Sequence, residues 1–415
     1  MTASATQTHR AIEQVARQSY GRIVAYLSAR TRDVAGAEDA LSDALIAALT
    51  VWPRDGVPRS PEAWLLTTAR NRLIDRVRHR QMQASNASSL ELLAETAQDP
   101  MFDDGGADTL PDERLKLLFV CAHPAIDASI HTALMLQTVL GLDASAIARA
   151  FVVAPATMSQ RLVRAKSKIR QAGIAFEVPE ADQLPSRLDA VLRAIYAAYG
   201  SGWEDPTGID AQAHGLVDEA IWLARVLRQR MPAAAEVRGL LALMLHCEAR
   251  RPARRTSDGR FVPLLEQDPQ RWVQPMIAEA EAELAAAAAL RRPGRFQLEA
   301  AIQSAHAERA RTGRTDWQSI ALLYEGLVGI SPTLGACVGR AAAVAQVKGA
   351  NAGLVMLDAL DAASVDGYQP YWAVRAHLSR QAGRSDEAVG AFDRAIALAD
   401  DPAIRDFLRG RRDGV

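Results

Sequence analysis

The sequence contains few cysteines, few aromatic residues and no excess of charge. Its 415 residues include only three cysteines, Cys121, Cys247 and Cys337, which lie far apart. An odd number at these spacings excludes a disulfide framework and a zinc site, so we expect three buried free thiols. The net charge of −1 points to no particular class of partner, so the distribution of charge along the chain matters more.

Long apolar runs are also missing. No stretch reaches the ~18 apolar residues that a membrane-spanning helix needs. The segment from Met1 to Arg10 lacks the apolar core of a signal peptide. We therefore expect a cytoplasmic protein with no membrane partner.

The residue patterns of common catalytic sites are absent. No histidine stands at metal-ligand spacing with a cysteine or another histidine, and there is no glycine-rich phosphate loop. Ser201, in Gly-Ser-Gly-Trp, lacks the strand-turn-helix context of a nucleophile elbow. We expect a protein that is not an enzyme and that holds neither a cofactor nor a metal.

Strand-like patterns are missing too, because valine, isoleucine and threonine never gather into alternating runs. Alanine and leucine dominate instead, and half of the residues are apolar. These features predict an all-α protein of roughly two to three domains.

The first 80 residues predict three helices, at about 9–30, 35–51 and 61–80. In the second, an apolar stripe is expected to face inward: Leu41, Ala44, Leu45, Ala48 and Leu49. Trp52-Pro53 is expected to end that helix, and Ser60-Pro61 to begin the third. The third helix should bury Leu66, Ala69, Leu73 and Val77, while its other faces are rich in arginine.

Acidic residues, glycine and proline fill the segment 82–111, which predicts a linker. Four shorter helices should follow, at about 112–122, 127–140, 143–151 and 155–170. Asp143 suits the cap of the third, and a tight turn joins it to the fourth. This order of elements, in which a turn joins a short helix to a second helix with a polar face, is typical of a helix-turn-helix.

The last of these helices has two distinct faces. Met158, Leu162, Ala165 and Ile169 recur at helical spacing and predict the buried face. The opposite face is polar and basic, which favours a DNA-recognition helix over an ordinary solvated one.

Beyond residue 184, ten helical patterns follow one another with short connections. They predict an array of stacked helix pairs. The clearest pair spans 371–398, where Ala388, Phe392 and Ala395 have the spacing of a tetratricopeptide repeat. One long loop, 250–265, interrupts the array and carries several arginines. These could contact nucleic acid or an acidic partner, but we favour contact with solvent or an internal ion pair.

These residues together resemble a bacterial sigma factor of the extracytoplasmic-function (ECF) group. Ala37 to Ala44 is similar to the region-two segment that docks on RNA polymerase. Trp52 to Leu65, followed by Ala69 to Arg76, is similar to the part that melts and reads the −10 element. Residues 141–170 resemble region four, which reads the −35 element, and the remaining chain resembles the subgroup with a tetratricopeptide-like extension.

The resemblance implies three sets of binding residues. Those expected to bind core polymerase are Glu38, Asp39, Leu41, Ser42, Asp43 and Leu45. Those expected to bind −10 DNA are Trp52, Arg59, Trp64, Arg70, Asn71, Arg72, Asp75, Arg76 and Arg78. Those expected to bind −35 DNA are Thr157, Ser159, Gln160, Arg161, Arg164, Lys166 and Lys168. Trp64 has two interpretations, a core residue or a stacking platform for a base.

The implied domains are a region two at 1–81, an acidic linker at 82–111, a region four at 112–178 and a helical-repeat extension at 184–415. The implied partners are core RNA polymerase and promoter DNA, with a regulatory protein or ligand on the extension. The alternative is a helix-turn-helix regulator on a helical-repeat scaffold, which would bind its operator without polymerase.

Overall fold

The computed structural model describes residues 3–83, 112–151, 153–180, 183–203 and 211–415. The acidic-linker prediction therefore lies almost wholly outside the described residues. The chain divides into two compact units, one formed by residues 1–204 and 210–223 and the other by 205–209 and 224–415. None of the described helices is long and apolar enough to cross a membrane.

The first unit begins with three helices that pack around one core: α1 (Ala3–Thr31), α2 (Val34–Asp55) and α3 (Pro61–Gln83). The side chain of Asp33 caps α2 by accepting a hydrogen bond from the Gly36 N–H. Leu66, Ala69 and Leu73 of α3 are buried, as predicted. The side chain of Val77, also predicted to be buried, lies outside the described residues.

Two expectations for α2 were wrong. The helix continues through Pro53 to Asp55 and ends at Gly56, whose φ of 88° suits glycine. Proline this close to the end removes only one hydrogen bond of the last turn. Leu49 is 43% exposed, because the buried stripe runs through smaller residues to Trp52.

Four helices follow in the same unit: α4 (Arg114–Cys121), α5 (His131–Thr138), α6 (Ala144–Ala150) and α7 (Pro155–Gln171). The Asp143 carboxylate caps α6 by accepting from the N–H groups of Ser145 and Ala146, as predicted. The predicted buried face of α7 is confirmed, since Met158, Leu162 and Ile169 are each 1% exposed.

Two more helices contribute to the first unit. They are α8 (Leu184–Trp203) and α9 (Ala211–Arg230), of which α9 belongs to it as far as Leu223. The helix α8 packs against α5 and α4. The boundary between the compact units thus lies about 40 residues beyond the predicted start of the extension.

The second unit is an array of helices of varied length. Its members are α10 (Ala235–Ala249), α11 (Gln274–Ala289), α12 (Arg295–Ala307), α13 (Arg309–Thr312), α14 (Trp317–Ile330), α15 (Leu334–Lys348), α16 (Ala350–Asp358), α17 (Ala362–Val365), α18 (Gln369–Gln381), α19 (Ser385–Ala397) and α20 (Pro402–Arg412). Most pack against the next one or two in the chain.

Small residues allow close contacts in this array. Ala388 and Ala395 of α19 are fully buried beside Phe392, as predicted. Gly239 of α10 faces the start of α12, where a Cβ would lie 2.6 Å from the Gln297 backbone nitrogen. The Glu236 carboxylate accepts hydrogen bonds from the N–H groups of Phe296 and Gln297 and so satisfies the first turn of α12.

The long loop after α10 has an ordered structure. Gly259, with a φ of 84°, forms a tight turn between Thr256 and Arg260, and an isolated bridge joins Arg255 to Phe261. This bridge is the sole β-type pairing in the described part of the chain, so the predicted all-α class is confirmed.

This loop contacts both α13 and α20. The Arg309 guanidinium donates to three of its carbonyls, those of Leu264, Leu265 and Gln267. At the other side Arg255 pairs with Asp401, Glu266 pairs with Arg411, and Phe261 meets Phe407 edge-on at 5.4 Å between ring centroids. The loop therefore joins two helices that are about 90 residues apart in sequence.

The sequence patterns missed α20. Its start carries an ordinary signal, since the Asp401 side chain accepts from the Ala403 N–H and Pro402 occupies the first helical position. Only Leu408 of this helix is fully buried, so its apolar stripe is too narrow for periodicity to reveal.

Candidate polymerase and nucleic-acid interfaces

The outer face of α2 is the first candidate interface. Asp39, Ser42, Ile46 and Leu49 follow one another at helical spacing and are all exposed. Ile46 is 63% exposed and Leu49 43%, which is unusual for large apolar side chains beside a well-formed core. An acid followed by an apolar row can dock on a partner helix of complementary charge.

The residues predicted to bind polymerase divide between this face and the interior. Asp39 and Ser42 are exposed, and Asp43 and Leu45 are half-buried. Glu38 is 9% exposed and Leu41 is 1% exposed, so neither presents its side chain to a partner in this structure. Sequence reasoning missed Ile46 and assigned Leu49 to the core, because helical periodicity does not distinguish one apolar stripe from two adjacent ones.

The second candidate interface is the basic surface of α3. Asn71, Arg72, Asp75 and Arg78 are exposed on this helix, and Arg59 is exposed in the loop before it. Arg70 is half-buried. This surface carries more cations than acids, which suits a phosphate backbone.

Arg76 differs from the other arginines of α3. Its guanidinium lies 2.6 Å from the Asp43 carboxylate and 3.2 Å from that of Asp39, both on α2. Two acids offset its charge, so the structure uses Arg76 to join α3 to α2. The sequence did not reveal this pairing, because the residues lie more than 30 positions apart.

The two tryptophans predicted at the −10 site form a pair. Trp52 is 1% exposed and lies in the core, where it cannot stack on a base. Trp64 is half-buried and meets Trp52 edge-on, with 5.4 Å between the ring centroids. This contact favours the interpretation of Trp64 as a packing residue over a free stacking platform.

The third candidate interface is the polar face of α7. Thr157, Gln160, Arg164 and Lys168 lie along one side of the helix and are exposed. Arg161, on the same side, is half-buried and donates to the Ser129 hydroxyl at 3.1 Å. The exposed donors and acceptors can meet base edges and phosphates in a major groove.

Ser159 and Lys166 lie on a different side of α7. Ser159 is exposed, but the Lys166 ammonium is 2.5 Å from the Glu38 carboxylate and 3.0 Å from the Gln137 side-chain oxygen. Both members of the Glu38–Lys166 pair are about nine-tenths buried. Burial raises the pKa of the Glu38 carboxyl, and the charge of Lys166 opposes that rise.

The described residues contain no group of three His, Cys, Asp or Glu side chains that could hold a metal ion. Cys121 is buried beside the Thr138 hydroxyl, and burial raises the pKa of its thiol to about 12. The three cysteines are free, as predicted, but the prediction that all three are buried was wrong, because Cys247 and Cys337 are each half-buried. A thiol with this pKa is protonated at neutral pH and is a poor nucleophile.

Comparison with known proteins identifies the first of these modules. Residues 15–82, which contain most of α1 and all of α2, match the family model for sigma-70 region 2. The N-terminal module is a sigma-70 region 2. The candidate polymerase and −10 interfaces both lie on this region 2.

Two further comparisons concern the rest of the chain. Residues 187–288 match a family of unknown function, DUF6596. The chain is 40% identical, over 398 residues, to an uncharacterized protein of Rhizobium meliloti (strain 1021), an alignment that covers 95% of this chain and 93% of that protein. The chain belongs to the same family as the Rhizobium protein. No solved structure matches it.

Proposed function

We propose that this protein is an ECF-type sigma factor that binds core RNA polymerase and directs transcription from specific promoters. One observation carries the proposal: a sigma-70 region 2 is followed in the same chain by a helix-turn-helix whose second helix, α7, exposes a polar and basic face. We assign α4–α7 as region 4.

Region 2 would supply two contacts. The exposed face of α2, with Asp39, Ser42, Ile46 and Leu49, docks on core polymerase. The surface of α3 holds the melted −10 strand, with Arg72 and Arg78 on phosphates and Asn71 beside the bases. Phosphate contacts provide affinity without sequence choice, so selectivity at −10 needs a polar group that can meet an unstacked base.

Region 4 would read the −35 element in the major groove. Arg164 and Gln160 are the side chains best placed for base edges, because both are exposed on the middle of the polar face of α7. Lys168, one turn beyond Arg164, is suited to a phosphate. Arg161 would position the helix through Ser129 as well as contact DNA.

The extension would regulate this activity. Its first two helices, α8 and the first part of α9, lie in the same compact unit as regions 2 and 4, so a signal received by the extension has a direct physical route to them. A regulatory protein or a ligand that binds the second unit would be the source of that signal.

Transcription in vitro with purified core polymerase tests the proposal. We expect promoter-dependent transcripts only when both the protein and core are present, and we expect the protein to co-elute with core on gel filtration. Tight operator binding without polymerase, together with no core binding, would instead support an ordinary helix-turn-helix regulator.

A further inference from the structure

The second unit contains a buried arginine, Arg250, that pairs with no carboxylate of the described residues. It follows the last residue of α10 and is 8% exposed. One of its guanidinium nitrogens, Nη2, donates to the side-chain oxygen of Gln303 and lies 3.7 Å from the Cys247 sulfur. The other, Nη1, is buried and has no hydrogen-bond partner in the described part of the chain. Arg250 therefore brings a positive charge into the interior without a matching negative one.

The surroundings offset this charge only in part. The carbonyl groups at the end of α10 supply about half a negative charge at most. The amide oxygen of Gln303 is a weaker acceptor for a guanidinium than a carboxylate or phosphate oxygen is. Arg238, on the same helix, shows the usual arrangement, since its guanidinium lies 2.5 Å from the Glu283 carboxylate. A buried charge is costly unless it is paired, so Arg250 needs an explanation that Arg238 does not.

Two imidazoles lie near Arg250. His246, one turn earlier on α10, is 1% exposed, and its Nδ1 has no hydrogen-bond partner among the described residues. His306 of α12 meets the Trp317 ring edge-on, with 5.5 Å between the ring centroids. Burial, reinforced by the charge of Arg250, lowers the pKa of His246 to about 3 and that of His306 to about 4. Both imidazoles are therefore neutral at neutral pH, and both can take up a proton if a negative charge arrives.

Two carboxylates near this cluster have other partners. The Glu281 carboxylate of α11 accepts from the Ser304 hydroxyl at 2.7 Å. It lies 3.4 Å from Nε2 of His246, without the geometry of a hydrogen bond. Glu299 of α12 pairs with Arg295 at 2.7 Å. Neither of these two carboxylates forms an ion pair with the guanidinium described above.

Three further titratable groups surround the cluster, and none of the three is negative. Arg309 of α13 adds a second guanidinium, which is occupied by backbone carbonyls. Burial raises the pKa of the Cys247 thiol, and it raises the pKa of Tyr324 to about 12. The thiol and the phenol are therefore neutral at neutral pH. The electrostatic potential at Arg250 thus favours an anion.

The cluster reaches solvent on one side, where α11 and α12 meet. Gln303 and His306 are half-buried, and the side chain of Glu281 is 43% exposed. A small molecule can approach Arg250 from this side if it displaces the amide of Gln303. A guanidinium presents parallel N–H groups that match the oxygens of a carboxylate or a phosphate, so the exchange would replace a weak acceptor by a strong one.

We propose that Arg250, His246 and His306 form a binding site for a small molecule that carries a carboxylate or phosphate group. The Arg250 guanidinium pairs with the oxyanion, and the imidazoles donate to it when they are protonated. The site goes beyond the proposed function because it gives the extension a ligand of stated chemistry. Its occupancy can be measured without polymerase, so failure of the sigma-factor proposal would leave this test unaffected.

Urea unfolding of the full chain in rising concentrations of inorganic phosphate or acetate tests the site, with sodium chloride at equal ionic strength as the reference. We expect a stabilisation that follows a binding curve, so that ten times the Kd lowers the equilibrium constant for unfolding about tenfold. General salt effects do not saturate in this way. A response to phosphate alone would identify a phosphate ligand, and a response to acetate alone a carboxylate. No saturable response to either anion would overturn the site.

Arg250→Met is the decisive variant, and Arg238→Met is its matched control. Arg250→Met removes an unpaired charge and keeps most of the volume, so the variant without anion should be at least as stable as the unsubstituted protein. Its saturable response to the anion should be lost. Arg238→Met leaves Glu283 without its partner, so it should be less stable but should keep the response. Equal responses of Arg250→Met and the unsubstituted protein would overturn the site.

Imidazole NMR gives a readout that does not depend on stability. A bound anion should raise the pKa of both His246 and His306, because a neighbouring negative charge favours the imidazolium. The two resonances can be assigned with His246→Gln and His306→Gln and then titrated with and without saturating anion. Sodium chloride at the same ionic strength should leave them in place. Titration curves that do not move with phosphate or acetate would also overturn the site.

Discussion

Arg76 of α3 donates to the carboxylates of Asp43 and Asp39 on α2, at 2.6 and 3.2 Å. The same surface carries Arg72 and Arg78, which are exposed. Neighbouring arginines on one helix therefore differ in their surroundings, since Arg76 joins α3 to α2 whereas Arg72 and Arg78 are exposed to solvent.

The first prediction separates these two kinds of arginine. Arg76→Ala should lower the free energy of unfolding by about 0.5–1 kcal/mol, a modest value because the pair is partly exposed. Arg72→Ala should leave stability unchanged within about 0.5 kcal/mol and should reduce the slope of log affinity against log salt for holoenzyme on promoter DNA by about one. Urea titrations and filter binding at several salt concentrations measure the two effects. A larger stability loss for Arg72→Ala would contradict the assignment.

The second prediction concerns the exposed row on α2. Ile46→Asp should weaken binding to core polymerase by about tenfold or more, because an apolar anchor at the centre of an interface contributes over 1 kcal/mol. Folding should be unaffected, since Ile46 is 63% exposed. Leu322→Asp in α14 is a matched control, as Leu322 is 68% exposed in the second unit. Equal core affinity for both variants would remove Ile46 from the interface.

The third prediction distinguishes base contacts from phosphate contacts on α7. If the Arg164 contact is bidentate, Arg164→Ala should weaken binding to the preferred promoter by about 1–3 kcal/mol. It should also reduce the preference for one base at a single position of the −35 element. Lys168→Ala should instead weaken binding to all −35 sequences alike and lower the salt slope by about one. Transcription from a set of promoters with single −35 substitutions measures both. A uniform loss for Arg164→Ala would reassign it to the phosphate backbone.

The fourth prediction is a dependence of stability on pH in the second unit. Burial, reinforced by the Arg250 guanidinium, lowers the pKa of His246 to about 3, although Glu281 lies 3.4 Å from its Nε2. Burial, with Arg250 and Arg309 nearby, lowers the pKa of His306 to about 4. Both histidines are therefore largely neutral in the folded state between pH 6.5 and about 5, whereas the histidines of the unfolded chain bind protons in this range.

The stability that these neutral histidines contribute is therefore complete above pH 6.5 and is lost as the pH falls. The free energy of unfolding should fall by roughly 1.4 kcal/mol per pH unit for each histidine. Urea-induced unfolding of the second unit, followed at several pH values between 7 and 4.5, measures this change in the free energy of unfolding. His246→Gln should reduce this slope, because it removes one of the two buried imidazoles. An unchanged slope in His246→Gln would show that this imidazole is not the source.

The fifth prediction compares two glycines of the second unit. Gly239→Ala should destabilise it by about 1–3 kcal/mol, because the new methyl group meets the backbone at Gln297. Gly390→Ala, in the middle of α19 with open space around it, should stabilise by about 0.4–1 kcal/mol. Thermal unfolding of the two variants gives the comparison. Similar melting temperatures would mean that α10 and α12 are not in close contact.

Sequence patterns predicted most of the helices because each helix repeats its own local signal. The cap at Asp143 and the buried face of α7 were predicted correctly, since both depend on residues within a few turns. Pro53 was misleading, because the effect of a proline depends on how many turns remain after it.

The contacts that decide which site residues are available are not local. Lys166 was assigned to a phosphate, but its partner Glu38 lies 128 positions earlier. Trp52 and Leu41 were assigned to partners, but they lie in the core of region 2. The spacing of apolar residues in a single sequence shows which residues share one face of a helix. It does not show which other part of the chain that face packs against.

The loop between α10 and α11 has a consequence for how the second unit folds. In a simple helical array each element contacts only its neighbours, so the array can begin folding anywhere and can fray from either end. Here the ion pair between Arg255 and Asp401 joins the loop after α10, the first helix of the array, to the start of α20, the last one. The final helix cannot fray without exposing the loop, and the loop cannot dock until α20 has been synthesised. We therefore expect this unit to unfold in one cooperative transition and to complete its folding only after α20 has been synthesised.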